Sequence, residues 1–305
     1  MKPISRRTFL KDAGLIVAGM GLAPTLVPQI AQGLEEMSTG RAPIVWLQGQ
    51  SCSGCSVSFL NSSNPGPADL LTRYLSLYFH QTLSAATGVS ANDALATAID
   101  KGGYILVVEG AIPLGIPEAC MINNESFYDL FKRAASKASA VVSVGACASF
   151  GGIPAAPPNV TGATSVQGAL AKAGMNTPVI NLPGCPTHPD WTVGNLVHVL
   201  KVGIPELDQH ARPKRTYGRL LHDQCQYFAQ YQAKEFAQHP GEQGCQFKMG
   251  CQGVVTHSDC SLRGWNGGVN WCVRSRSVCV GCARPEFAGD RDFPFYRFND
   301  DGHSA

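Results

Sequence analysis

With 305 residues, 44% of them apolar and 15% charged, the chain is long enough to bury one large core or two ordinary ones and reads as globular. Its formal net charge of +2 excludes the strongly basic, clustered surface of a nucleic-acid binder, so nucleic acid is not an expected partner. The twelve cysteines remain to be explained.

Residues 1–33 read as an export signal. Met1 to Lys11 is a positive segment, Ala13 to Val27 is an uncharged apolar run, and Ala31-Gln32-Gly33 fits a small-residue cleavage site. Ser5-Arg6-Arg7-Thr8-Phe9-Leu10-Lys11 resembles the twin-arginine signal, which is read by a machine that carries folded proteins across a bacterial inner membrane. A chance arginine pair before a buried helix is the plainer reading, but it explains only part of the pattern. The run falls short of the ~20 apolar residues of a spanning helix. The tail from Arg297 to Ala305 is polar, so the expectation is a periplasmic protein without a transmembrane anchor of its own.

From 42 to 204 strand-like and helix-like segments alternate. The runs 42–47, 103–109, 140–144 and 178–182 are short, β-branched and bounded by Gly or Pro, as buried parallel strands are. Between them, helical periodicity predicts helices over 68–79, 91–99, 125–138 and 166–173. The pattern is that of an α/β domain with a doubly wound parallel sheet.

Four cysteines follow these strands closely. Cys52 and Cys55 come after the first, Cys147 after the third, and Cys185 after the fourth of the predicted strands. In an open parallel sheet they would converge on one edge, where such sheets bind ligands. Gly54, Gly145, Gly151, Gly152, Pro183, Gly184 and Pro186 would let the backbone approach a metal centre there. Four thiolates are the unit that holds one iron–sulfur cluster. A zinc ion would accept the same four, although structural zinc sites usually draw on two close knuckles in a short module.

From 205 to 290 the alternation stops, and Cys225, Cys245, Cys251, Cys260, Cys272, Cys279 and Cys282 crowd together. A stretch with so little core of its own would be organised by metal, whose binding free energy becomes folding free energy. A polar tail, 291–305, follows. Export alone would argue for disulfides. Against that, the cysteine density is below that of stapled small domains. A folded-export route also permits a metal centre to be inserted beforehand. Finally, the pairs Cys52/Cys55 and Cys279/Cys282 are too close for comfortable mutual disulfides, though a redox dithiol uses that spacing.

The residues themselves carry a resemblance. Trp46-Leu47-Gln48, Cys52-Ser-Gly-Cys55-Ser56, Val108-Glu-Gly-Ala-Ile-Pro113, Gly145-Ala-Cys147-Ala-Ser-Phe-Gly-Gly152 and Leu182-Pro-Gly-Cys185-Pro186 look like the small subunit of periplasmic nickel–iron hydrogenases. The match runs on through His222 and Cys225, Cys245 and Cys251, Cys260, Trp265-Asn266, Trp271, and Cys279 and Cys282. It covers nearly the whole chain. The resemblance implies a flavodoxin-like domain carrying a proximal [4Fe–4S] cluster on Cys52, Cys55, Cys147 and Cys185. It also implies a distal [4Fe–4S] cluster on His222, Cys225, Cys245 and Cys251, and a medial cluster on Cys260, Cys279 and Cys282.

Two departures point to the nickel–iron–selenium subgroup. Trp271-Cys272 stands where the commoner members have Trp-Pro, so Cys272 would complete a medial [4Fe–4S] in place of [3Fe–4S] and lower its potential. Val57 stands where many members have Glu. Cys272 as a buried, unligated thiol is the alternative. The family implies a large subunit that holds the nickel–iron site and splits H2. It also implies a soluble multihaem c-type cytochrome as electron acceptor. Two other classes stay in view: a structural zinc-binding interaction protein and a hydrogen-sensing regulatory subunit, the latter opposed by the export signal. Cys120 belongs to no set and reads as a packing thiol. Glu109 is a minor candidate beside the proximal site, and His188, Trp265 and Trp271 read as packing or surface groups.

Overall fold

The computed structural model describes residues 6–19, 23–28, 30–31, 43–63, 65–71 and 76–289. The polar tail and the arginine motif's Ser5 lie outside them. In chain order the principal elements begin with α1 (Arg6–Gly19), β1 (Pro43–Gln48), α2 (Gly54–Leu60), β2 (Ser76–His80) and α3 (Gly88–Lys101). They continue with β3 (Ile105–Glu109), α4 (Phe127–Ala135), β4 (Ala140–Val144), α5 (Gly145–Phe150), α6 (Val166–Lys172), β5 (Val179–Leu182) and α7 (Pro189–Lys201). The five strands form one parallel sheet in the order β2-β1-β3-β4-β5, the flavodoxin-like order.

The strands read as unbroken apolar runs because both faces are covered. Val45, Leu47, Leu106, Val108 and Val141 pack with Leu95, Ile99, Leu130 and Phe131 of α3 and α4. Their neighbours Ile44, Trp46, Ile105, Val107 and Val142 point to the other face, against Phe59, Trp191 and Leu196 of α2 and α7. The helix expected over 68–79 is a correction: Ser76–His80 is the edge strand β2, paired parallel with β1 across a register irregularity at Ile44/Val45. Aromatic Tyr78 and Phe79 suit a half-covered strand.

After 205 the described chain makes only short helical turns and isolated bridges. Its core is built from the cysteines themselves: Cys245 and Cys279 are buried with Leu221, Tyr227, Trp271 and Val273, and Cys225, Cys251 and Cys260 pack alongside. No helix among the described residues is long and apolar enough to cross a membrane.

Candidate metal centres

The first cysteine set assembles at the C-terminal edge of the sheet, as the strand positions require. Cys52 lies in the loop after β1, Cys55 in the first turn of α2, Cys147 in α5 directly after β4, and Cys185 between β5 and α7. The loops are tied to each other: the Ala146 N–H donates to the Gly184 carbonyl at 2.8 Å. Two glycines are required here. A Cβ on Gly145 (φ +87°) would lie 2.5 Å from the Cys55 sulfur, and one on Gly152 (φ +49°) would lie 2.8 Å from the Cys147 nitrogen. Burial pushes the Cys55 thiol up, helped by the Glu109 carboxylate, and lifts Cys147 to about 12, helped by Cys185. Cys185 is exposed as a residue, yet its thiol is raised by the protein packed around the sulfur and then by Cys52. Thiols that oppose one another's ionisation in this way become thiolates when a cationic centre compensates them.

In the second set Cys245 is raised by burial and then by Cys225, Cys251 by burial to about 11 and then by Cys245 and Cys225, and Cys225 by burial alone. The His222 ring is wedged edge-on between aromatic rings, 5.2 Å from Phe228 and 4.4 Å from Tyr231. Its Nε2 is buried with no hydrogen-bond partner, so no protein group competes for that nitrogen. In the third set Cys260 is driven to about 12 by burial, with further pushes from Asp259 and Cys272, while Cys279 and Cys282 are raised further still. Cys272 is exposed as a residue, its thiol is raised by the protein packed around the sulfur, and it faces Cys260 and Cys282. All four expected members are therefore brought together.

The sets also touch. The Cys185 N–H faces the Cys282 sulfur, bringing the first set against the third. The Cys279 N–H faces the Cys251 sulfur, and the Gln252 N–H donates to the Cys279 carbonyl at 2.7 Å, joining the third to the second. Among the described residues no three His, Cys, Asp or Glu side chains converge on a point where a single ion would sit. A polynuclear cluster, which places its own atoms between its ligands, fits sets grouped in this looser way.

Residues 217–296 match the C-terminal family model of the NiFe/NiFeSe hydrogenase small subunit, and 52–199 match that of the NADH ubiquinone oxidoreductase 20 Kd subunit. The periplasmic [NiFeSe] hydrogenase small subunit of Desulfomicrobium baculatum is 40% identical, over 96% of this chain and 98% of its own. The periplasmic [NiFe] hydrogenase small subunit of Solidesulfovibrio fructosivorans is 37% identical, over 96% and 93%. A crystal structure of a reduced, active form of the D. baculatum Ni-Fe-Se hydrogenase superposes with a TM-score of 0.80, at 40% identity, covering 85% of this chain and 99% of that one. The chain belongs to the nickel–iron hydrogenase small-subunit family.

Behind the first cysteine set of this hydrogenase chain lies a buried polar layer. Glu109, at the end of β3, accepts the Cys55 N–H at 3.0 Å, Trp46 Nε1–H at 3.3 Å, Gln48 Nε2–H at 3.2 Å and the Ser56 hydroxyl. Ser56 Oγ in turn lies 3.1 Å from His80 Nε2. His80 Nδ1 accepts the Thr82 N–H at 3.1 Å, so its proton sits on Nε2 and is donated to Ser56. Burial lowers His80 to about 4 against the opposing pull of Glu109, which keeps the ring neutral at pH 7. The minor candidate Glu109 thus braces the loop of the first set, while the roles of Ser56 and His80 emerge only from the fold. A helical reading of 68–79 hides the edge strand that carries His80.

The remaining residues take structural posts. His188 is buried, accepts the Asp190 N–H at 3.1 Å to cap α7, and reaches the Gly264 carbonyl at 2.7 Å. Trp265 packs tilted against His188 at 4.6 Å and faces the Cys260 sulfur, a contact beyond the packing role expected of it. Cys120 packs at the edge of the core on the α3/α4 face of the sheet, its carbonyl accepting the Phe127 N–H at the start of α4 at 2.8 Å, and it is raised by burial alone and faces no other cysteine set.

Proposed function

We propose that the chain is the electron-transfer subunit of a heterodimeric [NiFe]/[NiFeSe] hydrogenase. In this reading Cys52, Cys55, Cys147 and Cys185 hold the proximal [4Fe–4S] cluster, Cys260, Cys272, Cys279 and Cys282 the medial one, and His222, Cys225, Cys245 and Cys251 the distal one. When bound, such clusters supply one-electron carriers whose potentials follow charge, hydrogen bonding and solvent exposure. The residues of this chain hold them in series, and one observation carries the reading. The peptide N–H of one set faces a sulfur of the next, Cys185 toward Cys282 and Cys279 toward Cys251, and the Gln252 N–H beside Cys251 donates to the Cys279 carbonyl. Three separate interaction modules would have no reason to share peptide contacts in one line.

The flavodoxin-like domain (42–204) would present the exposed Cys52 and Cys185 loops to the large subunit, where H2 is activated. The domain spanning 205–290 would carry the distal site to the opposite exit. The export segment and the periplasmic relatives support a periplasmic location after twin-arginine transport. A soluble multihaem c-type cytochrome would receive the electrons there.

Iron analysis with electron paramagnetic resonance tests the assignment. The isolated heterodimer should hold about twelve cluster irons on this chain, with no strong oxidised [3Fe–4S] signal. A strong signal of that kind overturns the role of Cys272, and tightly bound zinc in place of iron overturns the whole reading.

A further inference from the structure

Helix α7 is apolar on two sides. Trp191, Val193 and Leu196 face the core under the sheet, whereas Val197 is fully buried in a second cluster with Ala13, Ile16 and Val17 of α1 and with Ile30 and Ala31. Leu200 touches both clusters. A helix that is apolar on two sides needs cover on both. Among the described residues, the hydrophobic cover on the Val197 side comes from the N-terminal segment.

We propose that α7 is the berth of the chain's own N-terminal export segment, which folds back on the finished body before it is removed. Docking withdraws Ala13, Ile16 and Val17 from water and shelters the junction at Ala31, which is only 7% exposed. Proteases act on chain that has opened locally, so the junction must leave the berth before it is cut. The contact is one-sided. Leu10 and Leu15 face outward, and beside the contact lies a cavity of about 980 Å³, lined by Leu15, Ile16, Val193, Arg215 and Arg263 among others. A segment held along one stripe can be withdrawn by a partner that grips its exposed leucines. Withdrawal bares Val197 and Leu200 on α7.

The inference rests on the proposed function in one respect only, that residues 1–33 are a removable export signal. The docking itself is independent of that. The full-length chain, purified with its clusters before export, is compared with the double variant Ile16→Asp/Val17→Asp by hydrogen exchange and by elastase, whose small pocket accepts residues such as Ala31. In the unaltered chain, exchange over 13–19 should be about tenfold slower than in the free 1–33 peptide, and cutting after Ala31 about tenfold slower than in the variant. Visible absorbance should be the same in both, reporting an intact body. Exchange and cutting that match the variant's overturn the docking. Loss of protection over 13–19 without faster exchange over 195–200 overturns α7 as the berth. A docked chain that stays in the cytoplasm on fractionation refutes the export reading and leaves the berth standing.

Discussion

The sheet region and the region after 205 hold their cysteines in opposite ways. Around the sheet, backbone pairing of β1, β3, β4 and β5 fixes where Cys52, Cys55, Cys147 and Cys185 emerge, and the apolar clusters on both faces stand without them apart from Cys55. After 205 the thiols are the packing: Cys225, Cys245, Cys251, Cys260 and Cys279 share one cluster with Tyr227 and Trp271. One scaffold exists before its metal arrives. The other is completed by it.

Stripping the iron should therefore split the molecule. Hydrogen exchange over 220–283 is expected to accelerate at least about a hundredfold, while the amides of β1, β3, β4 and β5 change by less than about tenfold. If both regions collapse together, the contrast is wrong. A smaller blow sharpens it from the sheet side. Gly145→Ala places a methyl 2.5 Å from the Cys55 sulfur at φ +87°. It should cost about 2–4 kcal/mol and about four irons, read by denaturant unfolding and iron analysis. Gly267→Ala, in the cysteine-rich region at φ +72° with open space around it, should cost only about 1 kcal/mol and no iron.

Cys272 and Cys120 make a finer pair. Cys272→Ala should remove about one iron, generate an oxidised [3Fe–4S] signal and raise the potential of that site. Cys120, half-buried in the α3/α4 core, should tolerate Ala for about 1 kcal/mol with iron and spectrum unchanged. Equal iron contents in the two variants would remove Cys272 from the third set.

What the sequence made legible follows the same division. Strands β1, β3, β4 and β5 announce themselves because burial on both faces leaves an unbroken apolar run, and a cysteine just past such a run is placed by topology alone. Strand β2 does not, since Leu70, Leu71, Tyr74, Leu75 and Tyr78 also satisfy a helical period and an edge strand is covered less completely. The cysteine-rich region has no period to read, so its second and third sets rest on the ordered motifs and not on a fold pattern. The contacts of Glu109 with Ser56 and Cys55, and of Cys185 with Cys282, join residues far apart in the chain, and no local spacing encodes them.

A last expected effect costs no iron, vanishes at neutral pH and isolates the sheet side. His80 is held neutral by burial, with a folded value of about 4 against an ordinary 6.5. Its folded-state affinity for protons is thus lower than that of the unfolded chain, so protonation favours unfolding. Above pH 6.5 the ring is neutral in both states and contributes no slope. Between 6.5 and about 4 it should withdraw up to about 1.4 kcal/mol of stability for each pH unit of acidification, a full proton's worth for a buried ring. His80→Gln removes this titration and keeps a donor within reach of Ser56. Its unfolding free energy should match the parent's slope above pH 6.5 and fall less steeply below it. Identical slopes throughout that window would mean that the ring gains its proton without leaving Ser56, and that Glu109 balances the burial.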